Sequence, residues 1–230
     1  MNDVTDRDIR QRDLIPPAKL KECRVTVVGV GAIGRQVALQ LAAVGVPQMQ
    51  LIDPDTVEVV NLAPQGYLQG DLGREKVTAT AELCRQINPA VNIEQYQERF
   101  RRSMEIGEVL FCCVDSITTR KLIWEAVKDR VRLFVDGRMS AEVIRILAAA
   151  DDASRQHYPT TLFVQAEAFA GTCTAKSTIY TANIAAGMMV GQFAKWLRSI
   201  PLDADVTLNL LAGEMAVGVL IAGQVERHER

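Results

Sequence analysis

The segment Arg24-Val-Thr-Val-Val-Gly-Val-Gly-Ala-Ile-Gly34 decides the fold class. Its first five residues are mostly β-branched, which is typical of a buried parallel strand. Gly29, Gly31 and Gly34 follow, and apolar residues then recur with helical spacing from Ile33 to Ala43. A glycine turn between a strand and a helix lets the backbone approach a phosphate, because the helix N-terminus presents unpaired N–H groups. The segment therefore predicts an adenosine-nucleotide site; the alternative is a tight turn without a ligand.

Strands and helices alternate after this segment. Short connections between them indicate parallel strands with right-handed crossovers and helices on both faces. The predicted fold class is therefore α/β, a Rossmann-like doubly wound, mostly parallel sheet. The predicted strands are Met49–Asp53, Val91–Tyr96, Glu108–Val114 and Arg132–Val135, and the predicted helices are Arg74–Ile87 and Thr118–Lys128.

The pattern changes after Asp136 and predicts an antiparallel C-terminal extension. Two strands are expected without a helix between them, then a long helix, a hairpin turning at Gly213 and a frayed tail. The whole chain, 1–230, is predicted to be one domain with an N-terminal arm (1–22), a Rossmann-like core (23–136) and the extension (137–230). The predicted elements of the extension are Ala141–Ala150, Thr161–Gln165, Ser177–Arg198, Val206–Leu211, Ala216–Ile221 and the tail Glu226–Arg230.

Composition narrows the class of protein. With 48% hydrophobic residues and a net charge of -2, the chain has no clustered basic surface of the kind that binds nucleic acid. Neither a signal peptide nor a run of about 20 apolar residues is found, so no membrane partner is predicted. Five cysteines without paired Cys-x-x-Cys spacing favour a reducing, cytoplasmic location and argue against structural zinc.

Asp53 ends the second predicted strand, where a carboxylate can accept hydrogen bonds from both ribose hydroxyls. NAD-linked oxidoreductases share this arrangement, but they usually need a proton donor such as His, or Tyr backed by Lys. The only histidines are His157 and His228, and Tyr180 has no Lys one turn later. Hydride transfer is therefore the less favoured alternative.

Four further segments occur in a fixed order: Arg7-Asp-Ile-Arg-Gln11, Asp53-Pro-Asp-Thr-Val-Glu-Val-Val-Asn-Leu-Ala-Pro-Gln65, Gly73-Arg-Glu-Lys76 and Cys113-Val-Asp-Ser, the last followed by Arg120. Together they resemble the motifs of the ThiF/MoeB family, which is related to the ubiquitin-activating enzymes. The resemblance extends from Arg7 to about Asp136. It implies ATP and Mg²⁺ as ligands and adenylation of a carboxylate, that of the C-terminal glycine of a small ubiquitin-like or sulfur-carrier protein.

The resemblance also implies roles for aligned residues. Asp53 would hold the ribose, Lys76 would neutralise triphosphate charge, and Asp115 would bind Mg²⁺. Arg10 would reach a phosphate from the neighbouring subunit, which implies a homodimer. The alternatives are a solvent-facing Lys76, a helix-capping Asp115 and a merely exposed Arg10. The full set of implied nucleotide-binding residues is Gly29, Gly31, Gly34, Asp53, Asp55, Asn61, Gln65 and Lys76.

Pro64 departs from the family pattern, because it stands where the family usually carries an arginine before Gln65. An arginine that faces developing phosphate charge stabilises the transition state. Either Arg12, Arg74 or an arginine of a partner substitutes, or the chain is a weakened enzyme or a non-catalytic nucleotide-binding partner subunit.

Cys173 precedes the long predicted helix, in a region where relatives can carry a nucleophilic cysteine. The helix N-terminus and Lys176 would favour its thiolate. The alternative is a buried cysteine without a catalytic role. Cys112 and Cys113 belong to a predicted buried strand, which favours packing for both. The implied catalytic residues are Arg10, Lys76, Asp115 and Cys173.

Overall fold

The computed structural model describes residues 7–162, 177–221 and 224–229. These residues form seven α-helices and nine strands, together with short 3-10 helices at Gln69–Asp71 and Tyr158–Thr161. The helices are α1 Pro17–Leu20, α2 Ala32–Val44, α3 Val59–Gln65, α4 Lys76–Ile87, α5 Ile117–Val127, α6 Asp152–His157 and α7 Ile179–Leu197. The strands are β1 Arg24–Val28, β2 Gln48–Ile52, β3 Asn92–Tyr96, β4 Val109–Cys112, β5 Leu133–Ser140, β6 Val143–Ala149, β7 Asp205–Asn209, β8 Glu214–Ile221 and β9 Gln224–Glu229.

All nine strands belong to one sheet, in the order β3-β2-β1-β4-β5-β6-β7-β8-β9. The strands from β3 to β5 are parallel, and those from β5 to β9 pair antiparallel. Strand order reverses at β1, since β2 lies on one side of it and β4 on the other. Ligands of open α/β sheets bind in the crevice at such a switch point. The predicted fold class is confirmed.

The register of the parallel strands aligns their carboxyl ends. Val28 pairs with Ile52 on one side and with Cys112 on the other, and Cys112 pairs with Asp136. The glycine turn, Asp53 and the segment after β4 therefore leave the sheet along one edge.

Two apolar layers cover the two faces of the sheet. On one face α2 packs against β1, where Val25 and Val27 are fully buried, and α7 packs against α2, β5 and β6. On the other face Trp124 of α5 packs against Phe134 and Tyr158, with its ring centroid 5.0 Å from that of Phe134. Burial on both faces explains why β4 consists of apolar residues and why β1 has valine at three of its five positions.

Three predictions about the extension were wrong. The region after β6 was expected to contain no helix, but α6 and a 3-10 helix follow it, and Asp151 starts α6 by accepting a hydrogen bond from Ser154 N at 2.8 Å. Thr161 belongs to that 3-10 helix and not to a strand; residues 163–165 of the predicted strand lie outside the described residues. Residues 226–229 of the predicted tail belong instead to β9, which pairs antiparallel with β8, and Arg230 lies outside the described residues.

The predicted hairpin is confirmed, because β7 and β8 pair antiparallel and Gly213 lies between them with φ +70°. Among the described helices, none combines the length and apolar character that crossing a membrane requires.

Candidate nucleotide-binding site

The glycine turn joins β1 to α2 with no room for side chains at two positions. Gly29 has φ +85°, and a Cβ there would lie 2.8 Å from the carbonyl oxygen of Cys113. A Cβ at Gly34 would overlap the carbonyl oxygen of Gly29. Gly31 is different, since a Cβ there would meet nothing nearer than Gln65 Oε1 at 3.8 Å. Gly29 and Gly34 thus allow close packing of helix on strand, while Gly31 faces space.

The N-terminus of α2 is suited to an anion. Gly31 is its N-cap and supplies no side-chain hydrogen bond, and the first turn contains no acidic residue. The first N–H groups of a helix have no partner within the helix, and the helix dipole makes this end positive. A phosphate beside Gly31 would satisfy both features.

Asp53 fastens the end of β2 to the glycine turn. Its Oδ2 accepts a hydrogen bond from Val30 N at 2.6 Å, and its Oδ1 accepts one from Asp55 N at 2.9 Å. Burial raises the pKa of this carboxyl above its ordinary value, against the effect of the two amide donors. Each oxygen keeps a further lone pair, so the carboxylate can also accept from ribose hydroxyls.

Lys76 begins α4 and is not the solvent-facing residue of the alternative interpretation. Its side chain is 7% exposed, and Nζ lies 3.0 Å from Asp55 Oδ2. The Asp55 side chain is 61% exposed. The buried ammonium group of Lys76 therefore lies at the edge of the crevice and pairs with the exposed carboxylate of Asp55. A bound anion would replace this carboxylate as the partner of Lys76.

Asn61 and Gln65 both belong to α3, but only Gln65 reaches the glycine turn. Asn61 Oδ1 accepts a hydrogen bond from Glu58 N at 2.9 Å and so closes the capping box of α3. Gln65 Oε1 is buried near Gly31 and has no hydrogen-bond partner within the described part of the chain. Such a buried amide calls for a partner from a ligand or from water. Pro64 lies inside this helix.

Asp115 follows β4 and is exposed at the same edge. The N-cap of α5 is Ser116, whose Oγ accepts from Thr119 N at 3.3 Å, so the capping alternative for Asp115 is wrong. Arg120 donates to the carbonyl oxygens of Val114 and Gly137, which fixes the turn that carries Asp115. Asp115 itself makes no hydrogen bond or ion pair with any residue described.

The carboxylates at this edge could bind Mg²⁺ only if a ligand such as a phosphate supplied further oxygen atoms. The described ranges contain no group of three His, Cys, Asp or Glu side chains that could hold a metal ion. Mg²⁺ is commonly bound through one or two carboxylates plus substrate phosphates and water. Asp115 fits that mode, because it is exposed at the sheet edge to which the glycine turn and Asp53 also belong.

Arg10 is not brought to this site within one chain. Its neighbours Arg7 and Gln11 donate hydrogen bonds to Ala43 O at 3.0 Å and Val44 O at 3.1 Å, at the C-terminal end of α2. A helix of 13 residues is about 20 Å long at 1.5 Å per residue. Arg10 is exposed there, at the end of α2 opposite the glycine turn.

The cysteines divide into two groups. Cys173 lies outside the described residues, so its role stays a prediction. Cys113 packs against the glycine turn, and burial raises the pKa of its thiol and of that of Cys112. Neither is suited to act as a thiolate at neutral pH, in agreement with the packing interpretation.

Sequence reasoning missed Arg35, which is fully buried on α2. Its Nε donates to Gly66 O at 3.3 Å and its Nη1 to Thr80 Oγ1 at 3.1 Å. The signal was its spacing, because Arg35 shares the inner face of α2 with Ala38 and Ala42, which are also fully buried.

Comparisons with known proteins identify the family of this chain. Residues 7–216 match the sequence model of the ThiF family. The adenylyltransferase and sulfurtransferase MOCS3-1 of Zea mays is 32% identical over 111 residues, which are 46% of this chain and 24% of that protein. MOCS3 of Sus scrofa is 35% identical over 115 residues, 47% of this chain and 25% of that protein. The matched segments are thus about a quarter of the length of these curated relatives.

Solved structures share the fold. PaaA superposes with a TM-score of 0.73 at 19% identity, over 100% of this chain and 77% of that chain. Escherichia coli MccB crystallised with ATP gives a TM-score of 0.73 at 14% identity, over 99% of this chain and 72% of that chain.

The close packing at the glycine turn yields a stability prediction. Gly34→Ala forces α2 away from β1, and overpacking of this kind costs about 1–3 kcal/mol of the free energy of unfolding. Urea denaturation followed by circular dichroism measures the change. Gly70→Ala is the control, because a Cβ at Gly70 meets nothing within 4 Å. Equal stability of Gly34→Ala and the wild type would contradict the described packing.

Proposed function

Because this chain belongs to the ThiF family, we propose that it binds ATP with Mg²⁺ and adenylates a carboxylate. The observation that carries the proposal is the uncapped N-terminus of α2, with buried Asp53 and Lys76 and exposed Asp115 around the same sheet edge. Anion-binding amides, a cation and a metal-binding carboxylate are the parts that nucleotidyl transfer needs.

The proposed reaction requires no protein base. A substrate carboxylate attacks the α-phosphorus of ATP, the bond from that phosphorus to the bridging oxygen of pyrophosphate breaks, and acyl adenylate and pyrophosphate are formed. The nucleophile is already ionised, so the protein acts by positioning and by neutralising charge. Mg²⁺ bound by Asp115 and the phosphates would supply further charge neutralisation.

Each nucleotide-binding residue has a distinct task in this scheme. The amides at Gly31 would face the phosphates, and Asp53 would accept from the ribose while it holds Val30. Lys76 would exchange Asp55 for the triphosphate. Gln65 would use its unpartnered amide oxygen on a hydroxyl or water of the bound nucleotide.

The substrate class that we propose is the C-terminal glycine of a small ubiquitin-like or sulfur-carrier protein. Two of the relatives, of Zea mays and Sus scrofa, are named adenylyltransferase and sulfurtransferase, and such a carrier is the substrate that the motif resemblance implies. Cys173 is proposed as the acceptor of the activated group. A cytoplasmic location, the absence of structural zinc and a single domain over 1–230 are further parts of this proposal.

Pyrophosphate exchange into ATP tests the reaction. We expect exchange in the presence of a candidate carrier that ends in Gly-Gly, and none with the same carrier lacking its last glycine. Lys76→Met and Asp115→Asn should each lower the exchange rate about 100-fold, in the range found when one transition-state donor is removed. Lys121→Met and Asp129→Asn are matched controls, since both residues are exposed elsewhere. Unchanged exchange in Lys76→Met and Asp115→Asn would refute their roles.

Pro64 favours a second candidate function, that of a non-catalytic nucleotide-binding subunit. Proline provides no cation at the position where the family usually carries an arginine. ATP binding without exchange in the wild type, together with exchange in Pro64→Arg, would establish this alternative. Exchange in the wild type excludes it.

A homodimer is proposed because Arg10 lies at the far end of α2 from the glycine turn of its own chain. Mixing two inactive variants, Arg10→Ala and Lys76→Met, should restore exchange, since each mixed dimer then has one site with Arg10 from one chain and Lys76 from the other. Light scattering on the same samples measures the oligomeric state. A monomer, or a mixture no more active than its components, would show that Arg10 does not act across a dimer.

A further inference from the structure

α3 carries Asn61 and Gln65 but has little to hold it in place. It has seven residues, none of them buried, and Val59 and Val60 are each 71% exposed. Pro64 removes one backbone N–H from the helix. Helices this short are not stable alone in water, so the position of α3 depends on its contacts with neighbouring elements.

Two consecutive side chains of α2 bind the C-terminal end of α3. Arg35 Nε donates to Gly66 O at 3.3 Å, and Gln36 Nε2 donates to Gln65 O at 3.0 Å. The last carbonyl groups of a helix lack partners within the helix, and these donors satisfy two of them. Leu62 adds an apolar contact with the small cluster around Tyr67.

The same guanidinium group connects α3 to α4 and to the glycine turn. It stacks on the ring of Tyr67, with its central carbon 4.0 Å from the ring centroid, and Nη1 donates to Thr80 Oγ1 at 3.1 Å. Tyr67 Oη in turn donates to Val30 O at 2.6 Å. Val30 is the residue whose amide donates to Asp53, so one network joins α2, α3, α4, the glycine turn and the end of β2.

The guanidinium group of Arg35 is buried within the protein and is not positioned to contact a ligand. Its Nη2 has no hydrogen bond in the described part of the protein and lies 4.0 Å from Asp71 Oδ2, and the side chain is fully buried. A buried charge is costly unless it is paired, and here the carboxylate, a carbonyl, a hydroxyl and an aromatic face share the compensation. Arg35 is therefore suited to position other groups and not to contact substrate.

We propose that Arg35 is a positioning residue that holds α3 against the glycine turn, so that Gln65 lies beside Gly31 where the nucleotide phosphates bind. This inference depends on the proposed function for its ligand, ATP. A planar guanidinium is required, because lysine cannot stack on Tyr67 and donate to both Gly66 and Thr80.

Calorimetric titration of ATP with Mg²⁺ into folded variants tests the inference. Arg35→Met and Arg35→Lys should each raise the dissociation constant about tenfold, equivalent to about 1.4 kcal/mol, at unchanged stoichiometry. Tyr67→Phe keeps the ring and loses the hydroxyl group, which donates to Val30 O at 2.6 Å and also lies 3.3 Å from Thr80 Oγ1 and 3.5 Å from Lys76 O, so a rise of about threefold is expected. Arg24→Met is the matched control, because it removes an ion pair with Glu94 at the opposite end of β1 and should leave ATP binding unchanged.

Hydrogen exchange separates this inference from the proposed function. The backbone amide protons of residues 59–66, of which Pro64 has none, should exchange faster in Arg35→Met and Tyr67→Phe than in the wild type. The amide protons of α2 and β1 should be unaffected, and both results should hold whether or not ATP binds. A merely structural role would lower the stoichiometry of ATP binding without changing its dissociation constant, and that result overturns the inference. Unchanged exchange at 59–66 in both variants overturns it as well. A wild type that binds no ATP contradicts the proposed function and leaves the exchange data to decide the role of Arg35.

Discussion

The close contact between α2 and β1 is the constraint on which the rest of the structure depends. Gly34 packs directly on the carbonyl oxygen of Gly29, and Gly29 packs on the backbone of Cys113. Any side chain at these positions would separate the helix from the sheet. The contact brings the uncapped N-terminus of α2 to the carboxyl edge between β1 and β4, where an open α/β sheet has its crevice.

The positions of the charged side chains at this edge depend on where the contact between α2 and β1 places the glycine turn. Asp53 can accept a hydrogen bond from Val30 N because the glycine turn after β1 and the residue after β2 lie side by side at the same edge of the sheet. Lys76 and Asp55 form an ion pair at this edge, which compensates the charge of the buried ammonium group. Asp115 remains exposed because Ser116 caps α5 and Arg120 fixes the preceding turn. This edge thus combines a positive helix N-terminus and a buried lysine with one exposed carboxylate, which is the combination that the proposed binding of ATP and Mg²⁺ requires.

Much of this could be predicted from sequence, because the deciding signals are local. β-branched runs, glycine spacing and helical periodicity identified the parallel core, and motif order identified the family. The misses have physical causes. The burial of Arg35 was missed because charged residues are expected on the surface. The helix α3 contains Pro64, and proline is unfavourable inside a helix. The strand β9 depends on β8 as its pairing partner. The spacing of Arg35 along α2 indicates that it lies on the buried face, but no local pattern reveals which residues it contacts.

The most direct test of the central claim is a crystal structure with a non-hydrolysable ATP analogue and Mg²⁺. We expect the triphosphate to lie against the amides that begin α2, Lys76 Nζ to have moved from Asp55 to a phosphate oxygen, and the metal ion to be bound to Asp115. Phosphates bound elsewhere, or Lys76 still paired with Asp55 in the fully occupied complex, would contradict it.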